Sequence, residues 1–318
     1  MDIKDFVSKY HTHPVLFIGT GMSMRYLQKS YSWRGLLEQI VVDLTGNDED
    51  FLNIDSHCNG NCPMMACEIE KMFNQKLEED RNGKFKSVND FFFQEKRDGR
   101  DNSRFKIYIS QLLANNQLKP DMIDEIKALK TIRKNISSII TTNYDDLVEQ
   151  LFQFSPLVGN KILLSNPYGA VYKIHGSTED PSTIIITEDD YKKFDTKYEL
   201  IRAQLLSLFM HNPIIFMGYS LTDNNIKNLL HTIFSYVDSS SDEAEKIRNN
   251  FLVVDRDEGN DSTEVSEYDI VVDSKNIKVN KIKTDNFTAI YQALSGLRLP
   301  ISAMDIRKVQ DIVGDIYR

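Results

Sequence analysis

The chain has 318 residues, of which 41% are hydrophobic and 27% charged; this is an ordinary globular composition with room for one large α/β domain with insertions or two modest domains. Its 38 basic residues against 47 acidic ones give a formal net charge of -9, which argues against a direct nucleic-acid-binding surface. No apolar run approaches the roughly 18 to 20 residues a membrane span needs, and the charged start Met1-Asp2-Ile3-Lys4-Asp5 has no apolar signal core, so a cytoplasmic location away from membranes is expected.

Residues 3–10 read as a short helical lead-in. Val15-Leu16-Phe17-Ile18 is a continuous apolar run, as in a strand covered on both faces. It runs into Gly19-Thr20-Gly21-Met22-Ser23, where glycines let the backbone turn sharply and approach a ligand closely. Amides at the start of a following helix suit a phosphate, although a lone Gly-x-Gly is equally the mark of a plain tight turn. After Trp33, the spacing of Leu36, Leu37, Ile40, Val41 and Leu44 predicts one core-facing helical stripe.

Between residues 46 and 119 short helical patterns alternate with polar and Asn-rich segments, and no strand alternation is sustained. A helical insertion or cap is expected there, with residues 1–45 and 120–318 forming the main domain. The aromatic run Phe91-Phe92-Phe93 reads as buried core in preference to a partner-facing patch. Cys58, Cys62 and Cys67 lie close together beside His57, but the spacing is wider than paired Cys-x-x-Cys knuckles and no second pair follows. No metal is expected, and the cysteines read as small buried residues or free thiols.

Pro120-Asp121 begins a helix with Met122, Ile126 and Leu129 inward, and a strand follows over Ile136–Ile140. That strand ends in Thr141-Thr142-Asn143-Tyr144-Asp145-Asp146. Polar side chains just beyond the carboxyl end of a strand in an open α/β sheet are candidates for ligand chemistry, whereas Thr141 and Asp145 also suit simple helix capping. Val171–Ile174 is a strand running into His175-Gly176-Ser177, and Thr183–Ile186 is an extra strand or an extended arm. Glu188-Asp189-Asp190 starts a helical region, Leu200–Met210 is a strongly apolar helix, and Pro213–Met217 is a buried strand that ends in Gly218-Tyr219-Ser220-Leu221-Thr222-Asp223. A helix with Ile226, Leu229, Leu230, Ile233 and Phe234 on one face follows, capped by Asp223 or Asn224, and a polar loop is expected over 238–243. Phe251–Val254 is a strand ending at Asp255, Ile277–Ile282 a last, edge-proximal strand, and Ile290, Leu294 and Leu297 have helical spacing.

Strands alternating with amphipathic helices predict a doubly wound, mostly parallel, Rossmann-like sheet. In such a sheet Gly19-Thr20-Gly21, Asn143 with Asp145, His175, Gly218 with Ser220, and Asp255 would share one edge. That coincidence favours a single nucleotide-binding crevice over five unrelated turns.

The ordered set Gly19-Thr20-Gly21-Met22-Ser23, Trp33, Thr141-Thr142-Asn143-Tyr144-Asp145, Lys173-Ile174-His175-Gly176 and Gly218-Tyr219-Ser220-Leu221-Thr222-Asp223 resembles sirtuin-like (silent information regulator type) domains. The resemblance is closer to the bacterial sirtuin-like NAD hydrolases of antiphage defence, and spans roughly residues 14–285. It implies NAD+ as substrate, cleavage at the nicotinamide–ribose bond, and NAD+ depletion as an abortive-infection response. Asn143 and His175 would be catalytic. Gly19, Thr20, Gly21, Ser23, Asp145, Gly218, Ser220, Asp223 and Asp255 would bind the dinucleotide, with Asp223 also a helix cap. Control of such a toxic activity implies a homo-oligomer or a regulatory partner protein.

Two departures from the family pattern matter. Thr20 stands where Gly-Ala-Gly is usual, and no cysteine follows His175, where protein-deacetylating sirtuins carry a four-cysteine zinc module. The second departure weighs against the competing reading as an NAD-dependent deacylase or ADP-ribosyl transferase. A further alternative, a non-catalytic nucleotide-sensing assembly module, has no need of both Asn143 and His175.

Overall fold

The computed structural model describes residues 1–164, 168–197, 199–219, 241, 245, 248–272 and 275–316. Eight strands form one sheet in the order β3-β4-β2-β1-β5-β6-β8-β7. They are β1 (Val15–Ile18), β2 (Ile139–Thr141), β3 (Ser155–Val158), β4 (Ala170–Lys173), β5 (Ile214–Met217), β6 (Phe251–Arg256), β7 (Val265–Val272) and β8 (Lys275–Thr284). All neighbours are parallel except β7 and β8, which pair antiparallel at one edge. The chain therefore winds outward from β1 through β2 and β4, then crosses back to β5 and winds the other way. The fold is doubly wound, and its topological switch point lies between β1 and β5, where ligands enter such sheets.

Alternating residues of each central strand feed two separate cores. Leu16, Ile18, Ile139, Val171, Ile215, Met217, Leu252 and Val254 pack on one face. Val15, Phe17, Ile140, Tyr172, Ile214, Phe216, Phe251 and Val253 pack on the other. This is the two-residue period of a sheet covered on both sides, and it explains why those strands read as unbroken apolar runs. On the first face α1 (Ile3–Val7), α2 (Thr20–Tyr26), α8 (Ile123–Thr131) and α12 (Phe287–Ser295) supply Ile3, Phe6, Tyr26, Ile126, Leu129 and Tyr291.

A third core belongs to a helical layer made of α3 (Trp33–Thr45), α4 (Glu49–Cys58), α5 (Cys62–Glu79), α6 (Lys86–Arg97) and α7 (Arg104–Leu113). Leu36, Leu37, Ile40 and Val41 of α3 pack with Phe51, Met65, Ile69, Phe73, Phe105 and Ile109, so α3 joins this layer by its buried stripe. Asn61 caps α5 through Met64 N–H at 3.1 Å, and Ser103 caps α7 through Lys106 N–H at 3.2 Å. Cys58 is buried, Cys62 and Cys67 are half-buried, and all three are free thiols. Among the described residues no three His, Cys, Asp or Glu side chains converge as a metal site, and no helix is long and apolar enough to cross a membrane.

Four local expectations are corrected. The aromatic run of α6 is not core: Phe91 is exposed, and Phe92 and Phe93 are half-buried beneath the Arg104 guanidinium, which lies 3.9 Å from the Phe92 ring centroid. Three successive residues sweep about 200° around a helix and cannot all face one core. Of the two readings of Thr183–Ile186, the extra strand is overturned and the extended arm stands: Pro181–Thr183 form a 3-10 turn, after which Ile184 is extended and Ile184 and Ile186 insert into the helical core. β2 is shorter than expected and starts at Ile139, while Ile136, Ser137 and Ser138 are buried ahead of it. The stretch after α9 (Leu147–Phe152), to which the sequence reading assigns no element, contains β3, whose half-exposed edge position hides the apolar alternation. The helix expected over 226–234 and the loop over 238–243 fall outside the described residues, apart from Ser241.

Candidate active site

The glycines after β1 and β5 serve the meeting of two loops at the switch point. Gly19 N–H donates to Met217 O at 2.9 Å and Gly21 N–H to Gly218 O at 2.9 Å. A Cβ on Gly21 would lie 2.8 Å from Gly218 Cα, and one on Gly218, whose φ is +77°, would lie 2.5 Å from Met22 N. The amides of Gly19, Gly21 and Met22 are thus already engaged by backbone carbonyls. Behind this loop Arg25 of α2 is clamped by Glu125 at 2.5 Å and Asp285 at 2.6 Å, and Tyr26 meets Tyr291 at 2.6 Å. These contacts fix α2 against α8 and α12.

A cleft opens beside these loops, between the sheet edge and the helical layer. Thr20, Thr142, Asn143, Asp145, His175 and Tyr219 line it from strand ends. Ser30, Tyr31, Ser32, Trp33, Leu36, Leu113 and Tyr191 close it from the helical side.

Asn143 is held by a short chain of hydrogen bonds. Thr141 Oγ1 donates to Ile18 O across the β1–β2 pair at 2.8 Å and accepts from Asn143 N–H at 3.0 Å. Asn143 Nδ2 donates to Ser23 Oγ at 2.9 Å, and Ser23 Oγ donates to Asp145 Oδ2 at 2.7 Å. Asp145 Oδ1 accepts from Leu147 N–H at 3.1 Å, capping α9. Capping and site chemistry are therefore properties of the same carboxylate. Asn143 Oδ1 is buried with no hydrogen-bond partner among the described residues.

His175 follows β4 and is 8% exposed. Gly176 adopts φ +97° behind it, and a Cβ there would lie 2.2 Å from Thr183 O, so the turn requires glycine. The imidazole Nδ1 sits 3.4 Å from Tyr191 OH, with Tyr191 and Phe194 packed edge-on to the ring. Burial pushes the imidazole pKa down to about 4, so His175 is neutral at pH 7. Burial also pushes the Asp145 carboxyl up, against the opposing charge of Lys173. Tyr191 is placed by α10 (Glu188–Lys197), whose start is a capping box: Asp190 N–H donates to Thr187 Oγ1 at 3.2 Å, and Asp190 Oδ2 accepts from Thr187 N–H at 3.0 Å. Asp190 is in turn paired with Lys106 of α7 at 2.6 Å.

The family described as SIR2-like domain matches residues 137–279, a stretch that contains Asn143, Asp145, His175 and strands β2 to β6. The chain is also similar to proteins named NAD(+) hydrolase ThsA. It is 35% identical to that of Enterococcus faecium over 107 residues, covering 31% of this chain and 22% of that protein. To that of Cytobacillus dafuensis it is 23% identical over 240 residues, covering 73% and 40%. The Bacillus subtilis protein named Defense-associated sirtuin 2 is 28% identical over 113 residues, covering 33% of this chain and 11% of the relative. In each case the chain spans less than half of the relative's length.

Of the residues the sequence nominates, the cleft brings together Thr20, Asn143, Asp145 and His175, with Ser23 directly behind Asn143. Gly19, Gly21 and Gly218 form the loop junction next to it. Asp255 is not among the lining residues; its carboxylate pairs with Lys281 at 2.9 Å. Ser220 and Asp223 lie outside the described residues. Sequence reasoning passed over Tyr191, Tyr144 and Lys173. Tyr191 and Tyr144 line the cleft, and Lys173 is fully buried beneath it. A lysine inside the apolar run Ala170–Ile174, two residues before the histidine, was the available signal for the last of these.

Proposed function

We propose that the chain is an NAD+ glycohydrolase that cleaves the nicotinamide–ribose bond and depletes NAD+ in antiphage, abortive-infection defence. The observation that carries this reading is the buried Oδ1 of Asn143, which has no partner among the described residues and belongs to a residue lining a cleft whose wall also holds a neutral imidazole. A buried carbonyl oxygen without a partner is costly unless a ligand supplies the donor. A water molecule or a ribose hydroxyl fits that need.

Nicotinamide is a neutral leaving group, so the C1′–N bond breaks with its electron pair going to the ring and leaves an oxocarbenium-like sugar, as in other glycosidic cleavages. Water then forms the new C1′–O bond. Its proton becomes strongly acidic as that bond forms, so a base with a pKa of about 4 such as His175 is sufficient to take it. Asn143 Oδ1 orients the water or the ribose hydroxyl, and the nearby Asp145 carboxylate favours the developing positive charge. With the Gly21 and Met22 amides engaged internally, the pyrophosphate falls to neutral hydroxyl donors such as Thr20 and Thr142, and the aromatic wall of Trp33, Tyr31 and Tyr191 offers stacking surface to a planar ring. Relatives named for NAD(+) hydrolysis and for defence support the same reading.

The test is nicotinamide release from NAD+ by the purified protein beside N143A and H175A, each confirmed as folded by circular dichroism. Release by the wild type, reduced at least about 100-fold in both variants, is expected. Equal turnover by all three would refute the assignment of the site, and a folded wild type that binds no NAD+ would refute the substrate. Because unrestrained NAD+ hydrolysis is toxic, the activity is expected to depend on homo-oligomerisation or on a partner protein. A monomer fully active by itself would exclude that control.

A further inference from the structure

Beneath the cleft lies a buried ion pair that the chemistry proposed above does not use. Lys173, the last residue of β4, has a fully buried side chain whose ammonium sits 2.8 Å from Glu149 Oε1 of α9 and also donates to the backbone carbonyl of Asp145. Glu149 Oε2 has no hydrogen-bond partner among the described residues. A buried pair with an unsatisfied oxygen is a poor device for stability, since apolar side chains of similar volume would serve as well or better. Its contact with the Asp145 carbonyl gives it another use.

The direction of the hydrogen bonds above the pair follows from donor counting. An ionised carboxylate only accepts, so the single proton of Ser23 Oγ goes to Asp145 Oδ2 at 2.7 Å. Ser23 Oγ can then only accept from Asn143, which turns Nδ2 towards Ser23 at 2.9 Å and leaves Oδ1 without a hydrogen-bond partner among the described residues. Were Asp145 neutral, its own proton could satisfy Ser23, and the hydroxyl proton would be free to draw Oδ1 of Asn143 inward. The geometry points to Lys173 and Glu149 as positioning residues: their ion pair pins the Asp145 turn, places positive charge against it, and so sets which end of the Asn143 amide faces the cleft. Burial raises the Asp145 pKa, and the Lys173 charge is the largest influence opposing that rise. The inference rests on the NAD+ hydrolase reading only for its kinetic readout.

The decisive variant is K173M/E149L, which removes both charges together and leaves neither buried and uncompensated. Thermal melting close to wild type is expected, together with a loss in kcat of about 10- to 100-fold at nearly unchanged KM for NAD+, the size of effect that misplacing one catalytic group produces. In parallel, the Asn143 side-chain NH2 pair, assigned in 1H–15N spectra by its loss in N143A, is expected to move towards free-amide positions in the double variant. K173R, which keeps the charge, is expected to restore both readouts in part. Wild-type kcat and an unmoved Asn143 amide in the folded double variant would overturn the proposal. Should that variant not fold, K173M/E149Q removes the same two charges with a smaller change of shape at Glu149, and again unchanged kcat and amide signals would overturn it. If the wild type releases no nicotinamide, the function reading fails, and the amide signals alone decide the positioning role.

Discussion

In the unfolded chain His175 titrates near the ordinary imidazole value of about 6.5, whereas in the folded protein burial pushes it down to about 4. Between those values the unfolded chain binds a proton that the folded protein refuses. Stability from this residue is therefore fully present above about pH 6.5 and is lost as pH falls towards 4, by about 3 kcal/mol across the whole window. Urea melts at pH 7 and pH 5 should show about 2 kcal/mol of that loss in the wild type, and H175Q should lack this part of the acid sensitivity. An equal acid sensitivity in H175Q would mean that the imidazole is hydrated and titrates normally. Asp145 offers a complementary residue-scale experiment. D145N keeps the shape but can donate to Ser23, so the direction of the Ser23–Asn143 bonds is no longer enforced. A kcat loss of about 10-fold or more is expected with the fold intact; undiminished turnover would show that amide direction is unimportant.

At the scale of elements, the loops after β1 and β5 are held together by glycines at contact distance. G218A would impose a left-handed conformation on alanine and drive its Cβ to 2.5 Å from Met22 N and 2.7 Å from Gly19 O. We expect a cost of about 2 to 5 kcal/mol in denaturant melts, with loss of NAD+ binding, from the combined backbone and overpacking penalties. Gly259 is the control: its φ is +76° but among the described residues no atom lies within 4 Å of its Cβ position, so G259A should cost only about 1 to 2 kcal/mol. Equal costs would show that the loop contact is looser than the geometry requires. This element-level logic also explains what could be read in advance. β1, β5 and β6 were legible because both their faces are buried, so the apolar run is unbroken. β7 was missed because it is the antiparallel edge strand, with Glu267 and Tyr268 exposed and its pairing with β8 invisible to a local pattern. The aromatic side chains of the cleft, Tyr144 and Tyr191, were passed over for a related reason. They come from different elements, and only tertiary packing brings them to the same wall.

At the scale of the whole molecule, a protein of formal charge -9 is proposed to bind an anionic dinucleotide, and the cleft offers little to offset that. No lysine or arginine lines it among the described residues, His175 is neutral at pH 7, and the hydroxyls of Thr20, Ser30, Ser32 and Thr142 are uncharged donors. Proteins that hold phosphates with cations lose affinity steeply as salt rises, because screening weakens each pair. Here the long-range field opposes the ligand, and the short-range contacts are hydrogen bonds and stacking in a partly enclosed site. Raising salt from 0.01 to 0.1 M shortens the screening length from about 30 to about 10 Å. That should relieve repulsion more than it weakens binding. The KM for NAD+ is therefore expected to stay within about twofold or to fall slightly over that range. Steady-state kinetics at four or five salt concentrations would check this directly. A steep rise in KM would require cationic contacts to the pyrophosphate, and would move the phosphate site away from the neutral wall formed by Thr20 and Thr142.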